Sequence, residues 1–178
     1  GDGQTLGIVL TPKHITELFC DLVDIKPTDT VFDPCCGTAG FLIAAMHKML
    51  KQATTDNEKR SIKQKQLHGV ELQPYMFTIA TTNMILRGDG KSNLIDTDFL
   101  KMNPNQLQLK GATVGFMNPP YSQGSKANPD LYEIAFTEHL LNSLTVGARC
   151  AVIVPQSAMT GKSKDEQAVK ESILKHHT

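Results

Sequence analysis

Asn118-Pro119-Pro120-Tyr121 closes an apolar stretch, residues 112–117, and places two acceptors and a ring face within four positions. The Asn118 side-chain carbonyl and the Pro119 main-chain carbonyl can each accept one N–H of a planar exocyclic amine. Such an amine, adenine's for example, is a weak nucleophile because its lone pair is delocalised into the ring. Holding both N–H bonds pushes the nitrogen toward tetrahedral geometry and frees the lone pair for attack on a methyl group. Prolines at 119 and 120 fix φ twice and remove backbone donors that would compete for the amine. Tyr121 offers a face on which a flipped-out base stacks, a contact worth about 1–3 kcal/mol per base. The same four residues also suit a Pro-rich turn that ends a strand, so the rest of the chain must decide.

A second group of residues has the chemistry of a ligand site. The turn Asp33-Pro34-Cys35-Cys36-Gly37-Thr38-Ala39-Gly40 carries glycines that admit a ligand close to the backbone, and a helix starting near Gly40 directs its positive end there. It lacks the Gly-x-Gly-x-x-Gly spacing, and Glu71 lies well beyond the roughly 20-residue interval of a dinucleotide fold. No Gly-Lys-Ser/Thr follows, which excludes a phosphate-binding loop. The acids suit a ligand without phosphates. Glu71 can accept from two ribose hydroxyls, Asp98 from an adenine amino group, and Asp33 can sit near a cationic amino acid end. S-adenosylmethionine has all three parts. Plainer readings stand beside these: Glu71 as an exposed acid after a strand, Asp98 as a helix cap, Asp33 as a turn former before Pro34, and Thr11 as a cap alone. Cys35 and Cys36 read as small packing residues in the turn, and the methionines as core or gap-filling positions.

The elements that must position these residues follow from periodicity. Ile15, Leu18, Phe19, Leu22 and Val23 recur at helical spacing, with Thr11 as the expected N-cap and Pro12 at the first helical position. Residues 30–32 predict a buried strand, 41–51 a helix, 67–72 a second strand and 74–86 a second helix opened by Pro74. Residues 52–66 are polar, mixed in charge and without apolar rhythm, and predict a solvated linker that extends the preceding helix or loops out. Residues 93–95, 112–117 and 150–154 give three further strands, with helices at 131–144 and 165–175. Strands alternating with helices predict an α/β fold with a mostly parallel sheet covered on both faces. In such sheets ligands bind beyond the C-terminal strand ends. Asp33, Glu71, Asp98 and Asn118 all fall at such ends.

Composition bounds the partners. The 178 residues suit one domain, and 18 basic against 18 acidic residues leave no strong basic field for nucleic acid. A DNA partner would therefore need help from other chains or segments. No apolar run approaches the roughly 20 residues of a membrane span, and no signal peptide pattern opens the chain; a cytoplasmic setting is expected. Cys20, Cys35, Cys36 and Cys150 form no Cys-x-x-Cys pair and read as reduced thiols. No histidine pair has metalloprotease spacing, so no metal is expected.

Asp33-Pro34-Cys35-Cys36-Gly37-Thr38-Ala39-Gly40-Phe41, then Gly69-Val70-Glu71, then Asn118-Pro119-Pro120-Tyr121 resemble, in this order, the adenine-N6 DNA methyltransferases. The likeness is strongest to the modification subunit of type I restriction-modification systems. Leu10-Thr11-Pro12, Asn83-Met84-Ile85-Leu86-Arg87-Gly88 and Ala151-Val152-Ile153-Val154-Pro155 support it. The resemblance implies a Rossmann-like fold that uses S-adenosylmethionine, with DNA bound through a specificity subunit and a restriction subunit in the full complex. It implies cofactor contacts from Thr11, from Asp33, Pro34, Cys36, Gly37, Thr38, Ala39, Gly40 and Phe41, from Glu71 and Leu72, from Asp98 and Phe99, and from Asn118. It implies that Asn118, Pro119, Pro120 and Tyr121 hold and stack a flipped adenine. Against the family's pattern, residues 1–178 read as a catalytic-core fragment, ending after the fifth strand and following helix. A helical N-terminal domain, sheet-closing strands and a later aromatic that sandwiches the base are not visible. The amine motif alone also occurs in protein-glutamine and RNA methyltransferases, which leaves those substrates, or a cofactor-binding module without activity, as alternatives.

Overall fold

The computed structural model describes residues 10–88, 93–108, 110–120 and 131–177. Helix α1 (Lys13–Leu22) precedes strand β1 (Val31–Asp33), and α2 (Gly40–Gln52) and α3 (Asp56–Lys65) lead to β2 (Leu67–Glu71). Helix α4 (Pro74–Leu86) leads to β3 (Asn93–Asp96), and a 3-10 turn (Phe99–Lys101) and α5 (Pro104–Gln108) lead to β4 (Val114–Met117). Helix α6 (Leu131–Ser143) precedes β5 (Arg149–Val152), after which α7 (Gln156–Thr160) and α8 (Lys164–His176) follow.

The five strands form one sheet in the order β3-β2-β1-β4-β5, and every pairing is parallel. The chain therefore winds outward from β1 to β3, then crosses back to β4 on the other side of β1. Loops leaving β1 and β4 diverge at this switch, which opens a crevice beyond the C-terminal strand ends. Register places Val31 opposite both Leu67 and Val114, so the residues leaving β1, β2 and β4 emerge at one edge.

Period-two alternation splits the core into two layers. Val31, Leu67 and Phe116 face a cluster with Cys20, Leu42, Met46, Met49 and Ile62, beneath the first three helices. Phe32, Val70 and Met117 face the opposite cluster, with Phe99, Leu107, Phe136, Leu140 and Leu144. Central β1 and β4 are buried at every position, which is why residues 31–32 and 114–117 read as apolar runs, with Asp33 the buried acid that ends β1. Several methionines, among them Met46, Met49, Met84 and Met117, are fully buried, as their reading as core residues requires.

Two local expectations fail. Residues 52–66 are not a linker, because α3 fills most of them, opened by a capping box in which Thr55 Oγ1 accepts the Glu58 N–H while Glu58 accepts the Thr55 N–H. Its one buried residue, Ile62, docks it on the core. At α1 the N-cap position is Pro12, not Thr11, and no side chain caps the helix. The Thr11 hydroxyl is engaged elsewhere. Strand limits also shift: β1 runs to Asp33 itself, and β5 covers 149–152 rather than 150–154.

Candidate active site

The turn after β1 is built tightly. Asp33 Oδ1 accepts the Cys35 N–H at 3.1 Å, the Cys36 N–H donates to Val70 O of β2 at 3.0 Å, and the Ala39 N–H donates to Cys36 O at 2.7 Å. Gly37 has φ +55 and Ala39, at the N-cap of α2, has φ +69. A β-carbon in the left-handed region costs about 1–2 kcal/mol, so Ala39 is strained where the helix begins. A β-carbon added at Gly37 would meet nothing within 4 Å, so backbone there faces open space.

Two residues from neighbouring elements hold this turn. Glu71 Oε2, at the end of β2, accepts the Gly37 N–H at 2.9 Å, while its Oε1 accepts the Gln73 N–H at 2.8 Å. Asn83 Nδ2, from α4, donates to Thr38 O at 3.1 Å. Asn83 lies in a motif whose sequence assigns it no role; its geometry makes it a second prop of the glycine turn. Each Glu71 oxygen accepts one bond here and retains a second lone pair.

Burial sets the electrostatics. Asp33 is 1% exposed, and desolvation raises its pKa from 3.8 to about 7, opposed by the Cys35 N–H and assisted by the Glu71 charge. Desolvation, reinforced by the Asp33 charge, also pushes the Cys35 and Cys36 thiols well above the usual thiol range. Both are protonated packing groups, not nucleophiles. The four cysteines are free, and burial pushes Cys20 and Cys150 up to about 12.

After β3, Asp98 Oδ1 accepts the Leu100 N–H at 3.1 Å and thereby caps the 3-10 turn, so its plain capping role is realised. Its second oxygen lies 3.6 Å from Lys101 Nζ. The Thr97 N–H donates to Glu71 O at 3.2 Å, which ties this loop to the end of β2. Phe99 packs against Phe32, Phe136 and His139 at 2% exposure, so its ring belongs to the core. Pro34, Cys36 and Phe41 are buried as well, Phe41 stacked between Phe19 and Phe116. Leu72 follows Glu71 and is 60% exposed.

At the end of β4, Asn118 Nδ2 donates to Thr11 Oγ1 at 3.0 Å. Asn118 Oδ1 is buried and has no hydrogen-bond partner among the described residues. A buried carbonyl without a donor costs about 1–3 kcal/mol, so this acceptor suits an incoming N–H. Pro119 is buried and Pro120 exposed. Tyr121 lies outside the described residues. Among those residues, no three His, Cys, Asp or Glu side chains are grouped to hold a metal ion, and no helix is long and apolar enough to cross a membrane.

The N-6 DNA Methylase family model matches residues 2–178. The chain belongs to the N-6 DNA methylase family. The chain is 51% identical over 178 residues to the type II restriction enzyme and methyltransferase RM.BcgI of Heyndrickxia coagulans, covering 99% of the chain and 28% of that protein. It is 26% identical over 183 residues to the type I restriction enzyme EcoEI methylase subunit of Escherichia coli, covering 96% of the chain and 37% of the subunit. A solved type I restriction-modification chain superposes with a TM-score of 0.81 at 26% identity, over 93% of this chain and 36% of that one. The crystal structure of the type I EcoKI M protein superposes with a TM-score of 0.80 at 22% identity, over 97% and 38%. The chain thus spans well under half the length of these relatives. Its parallel sheet is the Rossmann-like methyltransferase fold that they share.

Proposed function

We propose that the protein carrying this chain transfers a methyl group from S-adenosylmethionine to the N6 amino nitrogen of adenine in DNA, as the modification activity of a restriction-modification system. The carrying observation is Asn118 Oδ1, a buried acceptor without a partner among the described residues, at the end of β4, the strand that pairs with β1 and its glycine turn.

The residues fit the cofactor. Open backbone at Gly37, retained lone pairs on Glu71 and the exposed face of Leu72 match a methionine end, a ribose and an adenine ring in turn. Bound there, the cofactor supplies an electrophilic methyl on a sulfonium. Thr11 and the turn at Asp33, Pro34, Cys36, Gly37, Thr38, Ala39, Gly40 and Phe41 hold its methionine end, the core-packed members of that turn shaping it from beneath. Asp33 acts through the dry interior, its negative charge favouring a cation above the turn. Glu71 takes the ribose hydroxyls, and Asp98, together with the backbone at Phe99, takes the adenine.

Asn118 Oδ1 and the Pro119 carbonyl accept the two N–H bonds of the flipped target adenine, and Tyr121 stacks on it. Pyramidalising the nitrogen makes it nucleophilic without a strong base, and its surplus proton leaves after transfer.

DNA is the proposed partner, selected through a specificity subunit, in keeping with a chain whose 18 basic and 18 acidic residues cancel. The 51% relative joins restriction and methylation under one name, so restriction is proposed to reside on the same polypeptide rather than on a separate restriction subunit. The chain is proposed to be the catalytic core of that longer protein.

The test is incorporation of labelled methyl by the full-length protein with its partner subunits. Label should enter nuclease-sensitive adenine, and Asn118→Ala should abolish it. Label in protease-sensitive or RNA product, or full activity in Asn118→Ala, would overturn the reading.

A further inference from the structure

Nothing in Asn118 itself fixes which end of its amide faces a target. The amide has a donating and an accepting end of nearly equal size, and a half-turn about its last torsion would present two N–H groups to the amine and repel it. The hydroxyl that meets the donating end belongs to Thr11, 107 residues away in sequence. Thr11 precedes a helix anchored by buried Thr16, Cys20 and Val23, and Pro12 O accepts the Ile15 and Thr16 N–H groups. Half-buried Thr11 thus sits directly before a helix whose later turns pack on the core.

We infer that Thr11 is the positioning residue that orients the Asn118 amide, and that it couples cofactor occupancy to capture of the target base. The inference rests on the adenine-methylation reading. A hydroxyl accepting from Asn118 Nδ2 keeps its own proton to donate. The methionine end that Thr11 is proposed to hold carries a carboxylate, which would be an acceptor only. With the proton committed there, the hydroxyl can meet Asn118 only as an acceptor, so Oδ1 stays turned toward the amine. Without that anion the hydroxyl can also donate, and the reversed amide becomes accessible.

The test uses the full-length protein with its partner subunits, in wild-type, Thr11→Ser and Thr11→Val forms. A duplex with 2-aminopurine at the target position reports base capture by fluorescence, with and without S-adenosylhomocysteine, which retains the carboxylate. S-adenosylhomocysteine should tighten capture at least about fivefold on wild type and Thr11→Ser, and leave it unchanged on Thr11→Val. At saturating cofactor and DNA, single-turnover methylation should fall about hundredfold in Thr11→Val and stay near wild type in Thr11→Ser. A merely structural role would move thermal stability and cofactor affinity but not the saturated rate. Wild-type transfer in Thr11→Val, or equal losses in both variants, overturns the inference alone; a wild-type protein that methylates no adenine overturns the functional reading and this inference with it.

Discussion

Glu71 Oε2 accepts the Gly37 N–H at 2.9 Å, so the acid that ends β2 also holds the turn that ends β1. One carboxylate thus shapes the loop and, in the proposed role, binds the ribose. Glu71→Ala should weaken S-adenosylmethionine binding by about 1.5–3 kcal/mol, the range for hydrogen bonds to a charged group. Isothermal calorimetry on the full-length protein measures it. An affinity equal to wild type would show that the ribose lies elsewhere.

Asp33 gives a pH signature. Its pKa is 3.8 when solvated and about 7 in the fold, so between these values the folded state binds more protons than the unfolded state. Stability from this group therefore falls as pH rises through that window. Cofactor binding should run the other way, because a cation above the turn favours ionised Asp33: affinity should rise toward pH 7, with a proton released on binding. Thermal denaturation and calorimetry in buffers of differing ionisation enthalpy test both. In Asp33→Asn both pH dependences should flatten, which isolates this carboxylate from the others.

Asn83 donates to Thr38 O from a helix that buries Met76, Ala80 and Met84. Removing the donor leaves the strained stretch between Gly37 and Ala39 without its outer prop. Asn83→Ala should cost about 1 kcal/mol of stability in urea titrations. It should weaken cofactor binding severalfold while leaving methylation at saturating cofactor unchanged. A slowed saturated rate would mean that Asn83 acts on the reaction and not on the turn.

Periodicity placed the five strands, and from them the strand-end positions of Asp33, Glu71 and Asn118, because central strands are buried on both faces and announce themselves as apolar runs. It failed at α3, whose ten residues bury only Ile62 and so carry no apolar rhythm. The local signal was present all the same: Thr55 followed three residues later by Glu58 is a capping box. Thr11 failed for another reason. A hydroxyl before Pro12 reads as a cap, and its partner at position 118 is brought near only by tertiary packing. Asp98 shows a third case: one oxygen caps the 3-10 turn while the other pairs with Lys101, and that second contact is not legible in a lone acid after a strand.

At the opposite end of the sheet, Asp29 is 6% exposed and gathers three donors: the Lys26 N–H at 2.8 Å, the Thr113 hydroxyl at 2.8 Å and Arg149 Nη2 at 2.7 Å. Arg149 Nε also donates to Val23 O, so the network joins the chain before β1 to the starts of β4 and β5 and the end of α1. Asp29→Ala strands three donors and should destabilise the fold by about 2–4 kcal/mol. Arg149→Ala should cost less, about 1–2 kcal/mol, since Asp29 keeps two donors and the Arg149 side chain is 42% exposed. Urea denaturation of the two variants measures the difference. Because the network lies at the strand starts, cofactor affinity should remain that of wild type in both below the unfolding transition. A selective loss of cofactor binding in either variant would show that the strand starts and the site are coupled through β1.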